Sequence, residues 1–262
     1  MSTQLLRGVH PTAIVDDDAR LADDVIVGPY AIIGPGVEVG ARAVIGPHAI
    51  LERNTTIGAD CRIHAGAVLG GEPQDLKFEG EDTRVVIGER TVIREYVTVN
   101  RGTMARGRTD VGSDCLVMAY AHVAHDCVIG DRVVIANAVN MGGHVEIGDW
   151  AIVGGQTAIH QFVRIGAHAM VGGASAVRKD VPPYQKAAGN PLDLYGLNSV
   201  GLQRRGFSEA SRLALKRASR MLFHSKENLR QAAERVRAEV ELTDEVRHLL
   251  EFLEGTDRGT TL

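Results

Sequence analysis

Four of the ten histidines in this chain lie close together, and a glutamine follows the last of them. They are His122, His125, His144 and His160, with Gln161 beside His160. Imidazole can take up or release a proton near neutral pH, and it is also a common metal ligand. His125 is followed directly by Asp126, a carboxylate that could fix the imidazole tautomer and stabilise the imidazolium. General base catalysis, metal binding and simple ligand binding are therefore the chemistries to weigh.

The elements that position these residues follow from a repeat of six. An aliphatic residue returns every six positions from Val9 to Val177, apart from two insertions, and a small or β-branched residue such as Ala31 or Cys61 stands four positions later. Glycine recurs one position after the aliphatic, as at Gly28, where we expect the corner to need positive φ. Three such hexads form one triangular coil, so the sequence predicts a parallel β-helix.

The coil period places the histidines. Positions 125, 143 and 161 differ by three hexads, so His125, Gly143 and Gln161 should stack, and Asp126 should lie under His144. With coils about 4.8 Å apart, the four rings should occupy one strip of roughly 10 Å on a single corner. Their positions in the hexad face outward rather than into the core. Four outward histidines on one strip favour a functional site over a structural role.

Two other chemistries are disfavoured. No cysteine or clustered carboxylate joins the strip, and H-x-x-H on an extended chain does not bring both rings to one ion. Cys61, Cys115 and Cys127 fall in the small-residue interior column, so we expect reduced structural thiols rather than nucleophiles. Ser113 and Ser175 lack a suitably spaced histidine. We therefore predict no metal, no cofactor and no covalent enzyme intermediate.

Bulk composition excludes several classes of protein. The net charge of −4 and pI of about 6.2 give no indication of nucleic-acid binding. The N-terminal stretch has no apolar run like that of a signal peptide, and no segment approaches the roughly 20 apolar residues of a membrane span. We expect a cytoplasmic protein. Only 4% of the residues are aromatic, which suits a solenoid without a large globular core.

We expect two domains. The β-helix should cover residues 1–190, with loop insertions at 71–84 and 101–109, and a helical domain should follow over 191–262, reading as helices from about Asn190. The second insertion carries three arginines and is a candidate for binding, since loops on rigid scaffolds collect functional residues. We expect disorder from Thr256 onward.

Several strings in the chain resemble one family of hexapeptide-repeat transferases, the UDP-N-acetylglucosamine acyltransferases that start lipid A synthesis. They are HPTAIV (10–15), GEPQDLKFEGEDTRV (71–85), VTVNRGT (97–103), HVAHDCVIGD (122–131), HVEIGDWAIVGGQTAIHQF (144–162), GAHAMVGGAS (166–175), DVPPY (180–184) and GLQRRGFS (201–208). The resemblance spans essentially the whole chain. It implies a left-handed β-helix.

The resemblance also implies a reaction. A 3-hydroxyacyl group would pass from acyl carrier protein to the 3-hydroxyl of UDP-N-acetylglucosamine, giving an ester and the free carrier thiol. His125 matches the family's general base, Asp126 its orienting carboxylate, and the backbone N–H of Gly143 the group proposed to stabilise the oxyanion.

By the same resemblance, other residues would bind the substrates of a homotrimer whose sites lie between subunits. Gly173 matches the position that sets acyl length, and a glycine there implies a long chain. The matching substrate-binding residues are Gln74, Asp75, Leu76, Lys77, His122, His144, His160, Gln161, Asn198, Arg204 and Arg205. Two positions depart from the pattern: Val200 stands where some members carry glutamate, and Pro191 where some carry histidine.

Alternatives stay open at this point. A related enzyme acylates the 3-amino analogue of the sugar and forms an amide, and the same base could serve both acceptors. A sister enzyme that acylates a glucosamine amine carries a separate N-terminal uridine-binding domain, whereas the hexads here begin at Val9. A β-helical zinc carbonic anhydrase and a non-catalytic solenoid are the remaining alternatives. The helical C-terminus and the first insertion argue against the anhydrase, and the outward histidine strip argues against the non-catalytic solenoid.

Overall fold

The structure of the chain is a computed structural model that describes residues 8–225, 227–256 and 258–262. The predicted first domain therefore begins with seven residues that lie outside the described part. The strands are β1 (Ile14–Val15), β2 (Arg20–Leu21), β3 (Ile26–Val27), β4 (Ile32–Ile33), β5 (Glu38–Val39), β6 (Val44–Ile45), β7 (Ile50–Leu51), β8 (Thr55–Ile57), β9 (Arg62–Ile63), β10 (Val68–Gly71), β11 (Arg84–Ile87), β12 (Val92–Ile93), β13 (Thr98–Asn100), β14 (Arg108–Val111), β15 (Leu116–Val117), β16 (His122–Val123), β17 (Val128–Ile129), β18 (Val134–Ile135), β19 (Asn140–Met141), β20 (Glu146–Ile147), β21 (Ile152–Val153), β22 (Ala158–Ile159), β23 (Arg164–Ile165), β24 (Met170–Val171), β25 (Ala176–Val177), β26 (Gln185–Ala188) and β27 (Asp193–Leu197). The helices are α1 (Ser199–Arg204), α2 (Glu209–Phe223), α3 (Leu229–Glu239) and α4 (Asp244–Glu254).

The strands form the three faces of a prism. Face 1 runs β1-β4-β7-β10-β13-β16-β19-β22-β25, face 2 runs β2-β5-β8-β11-β14-β17-β20-β23, and face 3 runs from β3 and β6 up to β24, β26 and β27. Neighbouring solenoid strands are parallel, and Ile14 pairs with Ile32, its equivalent in the next coil. The predicted parallel β-helix is confirmed. Its aliphatic column is buried, with Ile45 and Leu51 fully inaccessible.

The recurring glycines do a different job from the one predicted. In most turns the residue with positive φ is the third after the aliphatic, and residues such as Tyr30, Arg42 and Asp126 occupy that position. Gly28 is not among the positive-φ residues. A Cβ on Gly28 would lie 2.8 Å from the backbone nitrogen of Pro47 in the next coil. Glycine is needed there because backbones of stacked coils approach closely, so the φ explanation was wrong.

The solenoid ends in a hairpin rather than passing directly into helices. β27 pairs antiparallel with β26 and extends face 3 to Leu197, whereas the sequence predicted helices from about Asn190. Leu192 and Leu194 pack against the solenoid core, and that burial favours the extended strand. The helices follow from Ser199, and the Ser208 side chain caps α2 by accepting from the Ser211 amide, as predicted.

The described residues of the C-terminal tail, Thr256 and 258–262, are ordered, contrary to the expectation of disorder from Thr256 onward. Asp180, at the last turn of the solenoid, donates its backbone N–H to the Gly259 carbonyl and accepts from the Thr261 N–H. Its carboxylate accepts from the Thr256 hydroxyl. These bonds return the tail to the solenoid. Sequence reasoning missed them because the tail has no periodic apolar pattern.

The three cysteines are free and buried, as the interior column predicted. Burial raises the pKa of the Cys61 and Cys115 thiols to about 11 and that of Cys127 to about 12, so a reactive thiolate is strongly disfavoured in each. Within the described ranges, no helix has both the length and the apolar character needed to cross a membrane.

Candidate active site

His125 and Asp126 form a hydrogen-bonded pair in a turn between face 1 and face 2. We call the stack of turns at 124–127, 142–145 and 160–163 the histidine corner. Nδ1 of His125 lies 2.9 Å from Oδ2 of Asp126. Because an ionised carboxylate only accepts, Nδ1 carries the proton and Nε2 is the free, basic nitrogen. Asp126 adopts φ of 60° at the positive-φ position of its turn, beside the His125 ring.

The Asp126 carboxylate is buried and held by two donors from the second insertion. The backbone N–H of Thr103 donates to Oδ1 at 2.9 Å, and its hydroxyl donates to Oδ2 at 2.7 Å. The Asp126 side chain itself has no solvent exposure. The backbone N–H of Asp126 donates to the Thr109 hydroxyl at 2.8 Å. These hydrogen bonds fix the position of the carboxylate beside the His125 ring.

Gly143 lies against the His125 ring, as the coil period predicted. A Cβ at Gly143 would stand only 2.4 Å from Cε1 and 2.5 Å from Nε2 of that ring. Only glycine at position 143 leaves room for the His125 imidazole in this position. Within the described residues the Gly143 N–H has no protein acceptor. Pro29, Pro35 and Pro47, which have no N–H, stand at the equivalent place in other turns, so the fold does not need this donor.

His144 is fixed between rings. It stacks on Phe162 with centroids 4.4 Å apart and an interplanar angle of 6°, and its edge meets His125 at 5.1 Å and 89°. Its Nε2 lies 3.7 Å from the Asp126 carboxylate. Burial lowers the pKa of His144, although the Asp126 charge acts in the opposite direction. His144 therefore tends to stay neutral.

The other two histidines differ in how closely they join this group. Nδ1 of His122 lies 2.7 Å from the Thr98 hydroxyl. The pKa of His122 is lowered, mainly by burial and to a smaller extent by the nearby His125. His160 is exposed, and its Nδ1 lies 3.1 Å from the Gln161 carbonyl. Among the described residues, His160 makes no ring contact with the other histidines.

A cavity of about 520 Å³ opens beside the pair. His125, His144, Gln161 and Phe162 line one side, and the first insertion lines the other through Gln74, Asp75, Leu76 and Lys77. Leu76 is fully exposed, which leaves an apolar side chain for a ligand or a second chain to cover. The structure thus brings the predicted loop to the predicted histidines. A second cavity of about 800 Å³ lies on the face 2 side of His144 and Phe162.

The remaining candidate residues lie at the other two corners of the prism. Asn198 caps α1 through its Oδ1 and donates its Nδ2 to the His168 carbonyl. Arg205 donates to the Trp150 carbonyl and to Nδ1 of His168, whereas Arg204 is exposed. These groups stand at the turns between faces 2 and 3. Within one chain they do not line the cavity beside His125.

Gly173 lies at the third corner, in a turn between faces 3 and 1. A Cβ there would come 3.1 Å from the Gly155 carbonyl and would otherwise find room. Within one chain, the predicted acyl-length position and His125 therefore lie at different corners of the prism. The assignments of Gly173, Asn198, Arg204 and Arg205 to substrate stay predictions.

His125, Asp126 and His144 could also hold a metal, since one ligand atom from each lies within 4.8 Å of the others. The hydrogen bonds argue for a different use. Asp126 already accepts from two Thr103 donors and from His125, so most of its lone pairs are taken. A metal would have to displace these partners. The prediction of no metal is favoured on this ground and stays a prediction.

Sequence reasoning missed two contacts at this site. Phe162 stands one coil after His144, so the coil period could have identified the stacked pair. Thr103 lies in an insertion outside the repeat, and no spacing rule connects it to Asp126. Its contact depends on the path of the loop.

Comparisons with known proteins agree with this geometry. The family described as "Udp N-acetylglucosamine O-acyltransferase; Domain 2" matches residues 180–261, and the bacterial transferase hexapeptide family matches residues 18–53, 37–71 and 108–143. An acyl-[acyl-carrier-protein]–UDP-N-acetylglucosamine O-acyltransferase of Syntrophobacter fumaroxidans is 50% identical over 253 residues, covering 96% of this chain and 98% of the relative. One of Thiobacillus denitrificans is 49% identical over 252 residues, with the same coverage.

Solved structures give the same result. The UDP-N-acetylglucosamine O-acyltransferase of Moraxella catarrhalis superposes with a TM-score of 0.94 at 42% identity, covering 97% of this chain and 99% of that one. The Bacteroides fragilis enzyme superposes with a TM-score of 0.96 at 37% identity, covering 97% and 100%. The chain therefore belongs to the family of acyl-[acyl-carrier-protein]–UDP-N-acetylglucosamine O-acyltransferases.

Proposed function

We propose that the chain transfers a 3-hydroxyacyl group from acyl carrier protein to the 3-hydroxyl of UDP-N-acetylglucosamine, the first step of lipid A synthesis. The observation that carries this proposal is the His125–Asp126 pair, packed on Gly143 and facing the first insertion across one cavity. The substrates are those printed in the names of its relatives. Acyl carrier protein and UDP-N-acetylglucosamine are both charged and water-soluble, and we propose that the reaction takes place in the cytoplasm.

His125 acts as the general base. With Nδ1–H bonded to Asp126, Nε2 is free to take the proton from the sugar 3-hydroxyl. The sugar oxygen then bonds to the thioester carbonyl carbon. As the tetrahedral intermediate collapses, the carbon–sulfur bond breaks and the imidazolium returns its proton to the thiolate. The products are the 3-O-acyl sugar nucleotide and the carrier thiol, and no covalent enzyme intermediate forms.

Gly143 contributes a backbone donor for the oxyanion. Its N–H is free of protein acceptors among the described residues and lies one coil from the base. A preorganised donor placed where negative charge develops stabilises the transition state more than the ground state, and this lowers the barrier. The missing side chain serves twice, since it admits both the imidazole ring and the reacting carbonyl.

The acceptor sugar binds between the first insertion and the histidine corner. Asp75 and Lys77 offer one charged group of each sign for hydroxyl and phosphate groups, and His122, His144 and Gln161 supply further polar groups. Because His144 is held by Phe162, its ring can contact a ligand at little cost in side-chain entropy. His160 lies at the exposed edge of the same turns and would contact substrate there.

A homotrimer would explain why the candidate residues occupy three corners. The outward side of face 3 is largely apolar: from β3 to β24 its one charged strand residue is Arg62, and the last strands, β26 and β27, add Lys186 and Asp193. Its apolar members are Ile26, Val44, Val92, Leu116, Val134, Ile152 and Met170. Face 2 instead carries ion pairs such as Arg20–Glu38. An apolar face of this length favours contact with a second copy.

Ring closure then completes the site. In a heterologous three-fold ring, face 3 of one subunit packs against face 1 of the next. That places the histidine corner of one subunit beside the corner that carries Arg204 and Arg205 in its neighbour. We propose that these arginines and Asn198 bind the uridine diphosphate end there. The acyl chain runs inward between the packed faces toward Gly173, which limits its length.

The reaction is tested by offering purified protein 3-hydroxyacyl carrier proteins of several chain lengths against UDP-N-acetylglucosamine and its 3-amino analogue. We expect an ester on the 3-oxygen, identified by mass spectrometry and by loss of product in mild alkali. Product on the amine alone would replace the proposed acceptor. A folded protein that acylates neither acceptor would refute the proposal.

The shared site is tested by mixing two variants. His125→Ala and Arg204→Ala chains should each transfer poorly alone, while reassembled mixed trimers should recover activity at interfaces that combine intact His125 with intact Arg204. Mixed trimers with only the mean activity of the two variants would place the whole site within one chain.

A further inference from the structure

The three arginines of the second insertion all have partners within the chain, and Arg106 also lines the larger cavity beside His144. Arg106 and Arg108 both contact Oδ2 of Asp110, at 2.7 Å and 3.0 Å. Arg101 is 3% exposed and donates to the Gly70 carbonyl at 3.1 Å. What the insertion offers to the active site is Thr103, through the two donors that it directs at Asp126.

The loop around Thr103 is tightly fixed. The Thr103 carbonyl accepts from the Gly107 N–H at 2.7 Å, and the Thr103 hydroxyl accepts from the Ala105 N–H at 3.2 Å. Gly102 packs so closely on Arg108 that a Cβ would come 2.3 Å from the Arg108 nitrogen. The hydroxyl therefore has its direction set by the backbone of a closed turn, and its one proton goes to Asp126.

The same loop is joined to the first insertion. Arg101 donates its backbone N–H to the Gly71 carbonyl at 2.9 Å and its Nη2 to Glu72 at 3.1 Å. Its guanidinium lies over the Phe78 ring, 5.1 Å from the centroid. The two insertions thus form one body, with Gln74 to Lys77 at one end and Thr103 at the other. A movement of either loop would therefore shift the Thr103 donors that hold the Asp126 carboxylate.

We propose that Thr103 is a positioning residue of the transfer reaction, which holds the Asp126 carboxylate so that Oδ2 faces Nδ1 of His125. This inference rests on the proposed function. Asp126 has its rotation fixed because each of its oxygens has a separate Thr103 donor. Without the hydroxyl, the second insertion holds the carboxylate only through the Thr103 backbone N–H at Oδ1, and Oδ2 keeps only its bond to His125. The carboxylate can then turn, and the base loses its tautomer and its orientation.

The test is Thr103→Val, which keeps the shape of the side chain and the backbone N–H but removes the hydroxyl. Because a hydrogen bond to a charged group is lost beside the base, we expect kcat to fall roughly ten- to a hundredfold while KM for the sugar nucleotide changes less than about twofold. Thr103→Ser, which restores the hydroxyl, should recover most of the rate. Thr56→Val, on face 2, removes a hydroxyl remote from the pair and should leave the rate unchanged.

A double-mutant cycle separates positioning from general loss of structure. If Thr103 acts through Asp126, then Thr103→Val should cost less than about twofold in an Asp126→Asn background. A full additional loss in that background would overturn the proposal, as would wild-type kcat in Thr103→Val or no rescue by Thr103→Ser. Wild-type protein without transferase activity would instead refute the proposed function. A crystal structure of Thr103→Val decides the point without turnover, since an unmoved Asp126 carboxylate contradicts the positioning role.

Discussion

Gly143→Ala should test the geometry of the base with one added methyl group. The new Cβ would lie 2.4 Å from Cε1, 2.5 Å from Nε2 and 2.9 Å from Nδ1 of His125. Ordinary van der Waals contact begins near 3.4 Å, so the ring must move by about 1 Å. Gly143 is not among the positive-φ residues, so the backbone itself accepts alanine. The perturbation therefore falls on the imidazole rather than on the fold.

A displacement of about 1 Å at a reacting group can cost roughly a hundredfold in rate, or about 2.7 kcal/mol in the barrier. We expect kcat for acyl transfer to fall by that factor. Since the cavity walls formed by the first insertion are untouched, KM for the sugar nucleotide should change little. Steady-state kinetics over a range of both substrates would separate the two constants.

The control is Gly255→Ala at the C-terminus of α4. There the Cβ would lie 3.3 Å from Nη1 of Arg164, the far end of a side chain that can shift. It should fold and turn over like the wild type. If Gly143→Ala also kept wild-type kcat, the packing of His125 on Gly143 would not define the catalytic geometry, and the reasoning would be refuted.

Three further predictions follow from separate parts of the molecule. Gly173→Met should shift the preferred donor toward shorter acyl chains, and an unchanged chain-length profile would move the length limit elsewhere. His168, whose pKa is lowered to about 4 by burial and then by Arg205, should make unfolding easier as pH falls from about 6.5 to about 4, because the unfolded chain binds the proton first. His168→Asn, which keeps an acceptor for Arg205, should reduce the fall in melting temperature across that window, whereas a profile as steep as wild type would exclude His168 as its cause. Met170→Asp places a charge on face 3 and should reduce the proposed trimer to monomers in sedimentation, whereas a variant that still sediments as a trimer would show that face 3 is not the contact surface.

The periodic part of the chain was predictable because one rule governs it. A coil of three hexads fixes which side chains stack, and His125 over Gly143 followed from that spacing alone. The rule also predicted inward cysteines, which the structure confirms for Cys61, Cys115 and Cys127. It misjudged the glycine column, since close approach between coils and positive φ both favour glycine and sequence cannot separate them.

The aperiodic parts were less predictable. Thr103 reaches Asp126 from a loop whose path depends on its own turn and on Arg101 beneath it. The tail returns to Asp180 through backbone hydrogen bonds, which leave no pattern of side-chain types. β27 forms where helix was predicted, because its Leu194 side chain packs against the solenoid core. In each case a contact distant in sequence outweighs local propensity.

His125 is proposed as the base for transfer and not as a group required for folding or sugar binding. The most direct measurement compares His125→Ala with wild type in single-turnover acyl transfer and in calorimetric titration with UDP-N-acetylglucosamine. We expect transfer to fall to the background rate, while the dissociation constant for the sugar nucleotide stays within a few fold and the melting temperature changes little. Transfer at a near-wild-type rate would contradict this proposal.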